Sequence, residues 1–202
     1  MLIRGKVNWD ETTEVVIIGY GMAGAVAAIA AHDKGAKVLI LEKQRADNHH
    51  TNSSLSGGSI IIPSDIESAV RYMEALYQVD GDLSWVDSDI IRVWVESSCK
   101  IKEWIEKIGG KVKLVAPLGE HTEVPGADSI CTYRFQGRGL RLMKLLDREV
   151  TSRGIPVMYN AVAEHLLTNL NGEVVGVRAE CGGGGTSRRV GIRALKGTVL
   201  TC

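Results

Sequence analysis

The sequence predicts an α/β fold built on a parallel sheet, and three observations carry that prediction. Val15-Val16-Ile17-Ile18 is an unbroken β-branched run, the kind buried on both faces of a parallel sheet. Met22 to Lys34 is alanine-rich and meets Gly35, as a helix closed by a left-handed cap does. Val38 to Leu41 is a second apolar strand, so 14–42 reads as a βαβ crossover unit.

The later elements follow in order. Gln44 to Gly58 turns polar and then Ser/Gly-rich, a loop. Ser64 with Glu67 forms a capping-box pattern ahead of Ile66, Ala69, Val70, Met73, Leu76 and Tyr77 at helical spacing. A second helix is expected from Ser88 to Ile108, with Gly109 beyond its end. Its stripe holds Ile91, Trp94, Ile101, Trp104, Ile105 and Ile108, which assigns both tryptophans to packing rather than ligand stacking. Leu114 to Tyr133, with Pro117, Gly119, Pro125 and Gly126, reads as irregular, and Leu140 to Ser152 as a third helix. Short β runs then occupy Val157–Tyr159, Val162–Thr168, Val174–Glu180, Arg189–Ala194 and Thr198–Thr201. Asn171-Gly172 is a hairpin turn signal, and Gly182–Gly185 reads as a flexible turn. With no repeat and no linker, 1–202 is read as one domain. Its parts are the βαβ unit, a helical and irregular excursion over 60–135, and a helix, β-meander and returning strand over 138–202.

Composition narrows the function. Lys+Arg and Asp+Glu are both 24, so the basic excess that a nucleic acid or an anionic membrane attracts is missing. The longest nearly apolar run, Ala23 to Ala31, is far short of a membrane span, and Met1 to Glu14 lacks the apolar core of a signal peptide. A cytoplasmic protein with a small-molecule substrate is the expectation. The cysteines at 99, 131, 181 and 202 have neither zinc-ligand nor disulfide-frame spacing, so reduced thiols are expected.

The chemistry sits in Gly19-Tyr20-Gly21-Met22-Ala23-Gly24, a GxGxxG between strand and helix. Gly19 permits a tight turn, Gly21 lets a diphosphate approach the backbone, and Gly24 allows close helix–strand packing. The amides opening the helix, at its positive dipole end, bind the diphosphate. Glu42, ending the second strand, accepts from ribose hydroxyls and repels a 2′-phosphate, which disfavours NADP. These residues alone leave FAD and NAD open. The Ser/Gly loop Asn52-Ser53-Ser54-Leu55-Ser56-Gly57-Gly58, the helices after it and the late meander replace the third βα unit that an NAD domain would show.

Taken together these segments resemble the FAD-dependent fumarate reductase and 3-ketosteroid dehydrogenase superfamily, across nearly the whole chain. Trp9-Asp10 ahead of Val15 to Gly24, Glu42-Lys43, Asn52-Ser53-x-x-Ser56-Gly57-Gly58, Val174-Val175-Gly176-Val177 and Ala194 to Leu200 carry the likeness. The resemblance implies a Rossmann-like FAD-binding domain of the glutathione-reductase type. It also implies FAD held by Gly19, Gly21, Met22, Ala23, Gly24, Glu42, Lys43, Asn52, Ser53, Ser56, Gly57 and Gly58, with Ala163 meeting the adenine through its backbone. The implied activity is an oxidoreductase acting on a C–C bond beside a carbonyl or carboxylate. Trp9-Asp10 and Tyr20 incline the substrate toward steroid-like enones over fumarate-like acids.

Two departures are visible. His50-Thr51 stands where the family has Gly-Gly, and the loop from Glu42 is about two residues longer. The family continues past Leu200-Thr201-Cys202 into a capping domain, so the chain is expected to be incomplete, with its catalytic residues outside it. A truncated, non-catalytic FAD-binding module and an NAD-binding Rossmann domain are the rival readings. His49-His50 has no third ligand at metal spacing. His50-Thr51 resembles, one position out of register, the pair that tethers flavin in succinate dehydrogenases, against a solvated loop histidine as the alternative. Tyr133, Arg134 and Arg138 either face a cofactor or substrate or form a surface loop.

Overall fold

The computed structural model describes residues 8–78, 82, 84–182 and 187–202. In chain order its elements are β1 (Glu11–Ile18), α1 (Met22–Asp33), β2 (Val38–Leu41), α2 (Asn52–Leu55), β3 (Ser59–Pro63), α3 (Ile66–Tyr77) and α4 (Ser88–Ser98). There follow α5 (Ile101–Lys107), β4 (Val112–Ala116), β5 (Ile130–Phe135), α6 (Arg138–Ser152), β6 (Val157–Met158), β7 (Ala161–Thr168), β8 (Val174–Cys181) and β9 (Arg188–Leu200). The chain forms two compact units, one of residues up to Leu55 with Leu146–Cys202, the other of Ser56–Leu145.

The first unit is a six-stranded sheet in the order β6-β2-β1-β9-β8-β7. β6, β2, β1 and β9 run parallel, and β8 and β7 continue antiparallel. The β-branched run of β1 is central, with Val16 and Ile17 fully buried. Ala25, Ala28 and Ile29 of α1 are equally buried, because small alanines let the helix lie close on the strands. Each buried Val, Ile or Leu contributes about 2 kcal/mol. The two β runs expected at 189–194 and 198–201 are one strand, β9, paired along its length with β1 from Glu11↔Ile192 to Ile18↔Leu200. Of the expected Gly182–Gly185 turn, Gly183 to Gly185 lie outside the described residues.

The second unit holds an antiparallel sheet, β3-β5-β4, and the helices α3 to α5. Here the sequence reading needs correction. The excursion read as helical and irregular contains β3, β4 and β5, because cross-strand pairing with distant partners supplies an order that no local period announces. Helix α3 is capped by Asp65, whose carboxylate accepts from Ser68 N at 2.8 Å, one residue later than the expected Ser64 box. The long helix read over 88–108 is broken at Cys99-Lys100 into α4 and α5. Trp94 is 38% exposed, so the packing role falls instead to Ile91 and Val95, which join Ala69, Val70 and Tyr72 of α3.

Candidate functional site

The first unit carries a cleft of about 420 Å³ where the parallel strands end. Its walls include Gly19 and Gly21 after β1, Glu42 and Lys43 after β2, Asn52 and Ser53 of α2, and Ala163 of β7. Seven of the thirteen residues expected to touch a cofactor therefore meet in one place. Ligands of open α/β sheets bind outside the carboxyl ends of the strands, as this cleft does.

The glycine turn is fixed by geometry that side chains would destroy. Gly19 has φ +101°, and a Cβ on Gly24 would run into the Gly19 carbonyl and lie 2.8 Å from Thr201 Oγ1. Thr201, directly after β9, closes the turn from outside: its hydroxyl donates to Ile18 O at 2.8 Å and its N–H to the same oxygen at 2.9 Å. No side chain of Gly21 can cap α1; instead Met22 N–H donates to Ser53 Oγ at 3.1 Å. Met22, Ala23 and Gly24 thus open the helix beside the cleft without lining it.

Glu42 is only 4% exposed. Its Oε2 accepts from Tyr20 N and its Oε1 from Gln44 N, both at 2.8 Å. Each carboxylate oxygen keeps a lone pair for a further donor, such as a ribose hydroxyl. The lengthened loop after Glu42 is folded rather than slack. Gln44 straps it, donating from Nε2 to His50 O and accepting His50 N–H at Oε1, both at 2.8 Å.

The two histidines separate. Exposed His50 lines the cleft, whereas the His49 ring turns inward and stacks on Tyr20 with centroids 5.2 Å apart. Tyr159 meets both rings edge-on. His49 Nε2 is buried without a hydrogen bond, 3.7 Å from Glu42 Oε2. Tyr20 OH donates to Asp147 Oδ1 at 2.7 Å. Burial first, then that hydrogen bond, pushes the Tyr20 hydroxyl well above its ordinary pKa, so it stays protonated. This Tyr20–His49–Tyr159–Asp147 support behind Glu42 is the part that sequence reasoning missed. Its members are too far apart in the chain for any spacing rule to find.

Trp9, Asp10 and Tyr20, which inclined the reading toward steroids, have packing roles. The Trp9 ring lies over Gly176, and Asp10 exchanges two 2.8 Å hydrogen bonds with the Gly191 backbone, from Asp10 N to Gly191 O and from Gly191 N to Asp10 Oδ2.

Ser56, Gly57 and Gly58 belong to the second unit. There the Ser56 carbonyl accepts from Gly139 N at 3.2 Å, and Gly58 N donates to Ser56 Oγ at 3.2 Å. A Cβ on Gly58 would come within 2.8 Å of the Arg138 backbone, so the glycine is required by space. Among the described residues no three His, Cys, Asp or Glu side chains gather as metal ligands, and no helix is long and apolar enough to cross a membrane.

A family model described as an FAD binding domain matches residues 14–202. The chain belongs to that family. Its cofactor is FAD, and the α/β fold with a parallel sheet is the one expected. The 3-oxo-5-alpha-steroid 4-dehydrogenase of Comamonas testosteroni is 33% identical over 63% of this chain and 24% of its own length. The NADH:fumarate oxidoreductase of Klebsiella pneumoniae (strain 342) is 30% identical over 82% of this chain and 18% of its own. Among solved structures, the 3-ketosteroid-delta4-(5alpha)-dehydrogenase of Rhodococcus jostii RHA1 superposes with a TM-score of 0.77 at 25% identity, covering 96% of this chain and 46% of that one. The chain therefore spans less than half the length of each of these relatives.

Proposed function

We propose that the protein is a cytoplasmic FAD-dependent oxidoreductase acting on a small molecule, at a C–C bond next to a carbonyl or carboxylate. The observation that carries this is the cleft lined by both a buried carboxylate, Glu42, and Gly21, the residue that caps the start of α1. Relatives named as steroid dehydrogenases and as a fumarate oxidoreductase support the reaction class. The flavin, when bound, supplies the acceptor and donor of the hydride.

The residues of this chain bind and orient. Gly21, Met22, Ala23 and Gly24 present main-chain N–H groups to the diphosphate, and Gly19 makes the turn that aims them. The Ser53 hydroxyl, already at Met22 N–H, adds a donor to the same anion, and Asn52 and Lys43 line its approach. Glu42 accepts from the ribose with the lone pairs that Tyr20 N and Gln44 N leave free. Ala163 meets the adenine through its backbone, and Ser56, Gly57 and Gly58 form the flavin-lining stretch.

The visible spectrum of purified protein titrated with FAD tests the reading. Saturable flavin binding is expected. A colourless protein that instead takes up a nicotinamide dinucleotide would establish the NAD reading. Colour left in the acid-precipitated pellet would reveal a tether through His50, and complete release excludes one. Glu42→Gln must aim its NH₂ at either Tyr20 N–H or Gln44 N–H, so FAD affinity is expected to fall about tenfold, ~1.4 kcal/mol. Loaded protein that reduces or oxidises neither enones nor unsaturated acids would favour the non-catalytic module.

A further inference from the structure

Behind Glu42 a buried imidazole nitrogen goes unused. His49 Nε2 has no hydrogen-bond partner among the described residues, and Glu42 Oε2 lies 3.7 Å from it, just beyond hydrogen-bond reach. Leaving a buried polar atom unpaired costs stability. The ring is nonetheless held there from several sides. Gln44 ties its loop to Glu42: the Gln44 N–H donates to Glu42 Oε1 and its side chain exchanges two hydrogen bonds with the His50 backbone, all at 2.8 Å. Tyr159, edge-on to the ring, stands between two residues tied to the same stretch. Glu42 N–H donates to Met158 O at 2.9 Å, and Asn160 N–H to Gln44 O at 3.0 Å. Tyr20 stacks on the imidazole with the planes 7° apart, and an aromatic face also accommodates a cation.

The ionisable groups facing the imidazole are Glu42 at the end of β2, Tyr20 in the glycine turn, Tyr159 after β6 and, through the Tyr20 hydroxyl, Asp147 of α6. On its own loop Asp47 is paired with Arg45, and His50 turns to the cleft. Burial, above all, holds both tyrosine hydroxyls above their ordinary pKa, so they stay neutral. Histidine is the side chain that ordinarily changes charge between about pH 5 and 8. Glu42 Oε2 has two lone pairs, and Tyr20 N–H takes one of them at 2.8 Å. The other is open to a ribose hydroxyl or to a His49 Nε2–H, but not to both.

We propose that His49 is a positioning residue that sets how much of Glu42 the cofactor can use. Uncharged, the ring stands off and leaves the second Oε2 lone pair to the cleft. Once protonated, it closes the 3.7 Å gap, donates a charge-assisted hydrogen bond to Oε2 and withdraws that acceptor from the ribose. FAD binding therefore weakens as pH falls, and by reciprocity bound FAD opposes protonation of His49. Both effects rest on Glu42 serving as the ribose acceptor proposed above.

FAD affinity of the full chain, read from flavin fluorescence at about pH 8 and about pH 5.5, tests this, with the His49 ring followed by NMR in parallel. The parent is expected to bind FAD about tenfold more weakly at the lower pH. His49→Phe keeps a ring against Tyr20 without the proton and is expected to bind equally at both pH values, whereas His50→Asn keeps the difference. Saturating FAD is expected to lower the pH at which the His49 ring resonances titrate, a readout that needs no variant. A parent affinity that is flat or rises in acid, a His49→Phe variant that keeps the difference, a His50→Asn variant that loses it, or a ring titration untouched by FAD would each overturn the proposal. Glu42→Gln at about pH 8 tests the underlying reading separately. Unchanged affinity there would remove the ribose role itself, while a fall beside a flat parent profile would remove only the part assigned to His49.

Discussion

Asp33, Glu149 and Arg153 in the first unit, and Lys113, Arg134 and Arg138 in the second, are both surface groupings of three charges, built on opposite principles. Arg153 donates to Asp33 at 2.7 and 3.1 Å and to Glu149 at 2.9 Å, so one cation bridges two carboxylates. The second grouping has one sign only. Opposite charges hold two helices' ends together, whereas like charges facing each other across a strand pair cost stability. The same distinction separates the two acceptor sites behind the cofactor cleft. Asp147 is used internally by Tyr20, while Glu42 keeps free lone pairs toward the cleft.

The strongest way to break the comparison is to destroy the first unit's turn and ask whether the second survives. Gly24→Val drives side-chain atoms into the Gly19 carbonyl and Thr201, and an overpacking cost of about 3 kcal/mol is expected. FAD binding should vanish while the amide resonances of 56–145 keep their native dispersion. Loss of both would show that the two units do not fold independently.

A smaller effect comes from Arg153→Ala. Its hydrogen bonds are the largest cause lowering both the Asp33 and Glu149 pKa values. Depressed carboxylate values stabilise above the unfolded pKa, near 4, and lose that contribution as pH falls through the folded values. The variant should therefore lie about 1 kcal/mol below the parent at pH 7, allowing for solvent screening at the half-exposed Asp33, and the gap should close under acid. Urea midpoints at neutral pH and near pH 3 check this, and a gap independent of pH would contradict it.

Lys113→Glu is the smallest. It replaces a like-charged cross-strand pair by an opposite-charged one and should raise stability by about 0.5 kcal/mol, read as a higher urea midpoint. A variant that gains nothing would mean that the two cations already avoid each other.

The legible part of this molecule was the local part. β1, α1 and β2 announce themselves through continuous apolar runs and a capped alanine-rich stretch, and Glu42 follows at a fixed place after them. The break at Cys99-Lys100 was not legible, because the apolar stripe continues through it. Nor was the β3-β5-β4 sheet, where Ile60 pairs with Tyr133 across the whole helical excursion. His49 was read together with His50, yet one residue of offset in the loop sends one ring inward to Tyr20 and the other into the open. The facing cations of the second unit stayed hidden for a related reason. Lys113 and Arg134 are neighbours only through sheet register, and composition averages their charge to zero.

Thr201 gives the cofactor turn a place in time as well as in space. Its hydroxyl reaches Gly19 O, 182 positions earlier in the chain, at 3.1 Å. A glycine loop synthesised 182 residues before Thr201 thus waits for β9 before it is braced, and contacts of such sequence separation form slowly. Flavin uptake during refolding is expected to follow, not precede, the pairing of β9 with β1. Stopped-flow flavin fluorescence that changes before amide protection appears in β9 would refute that order.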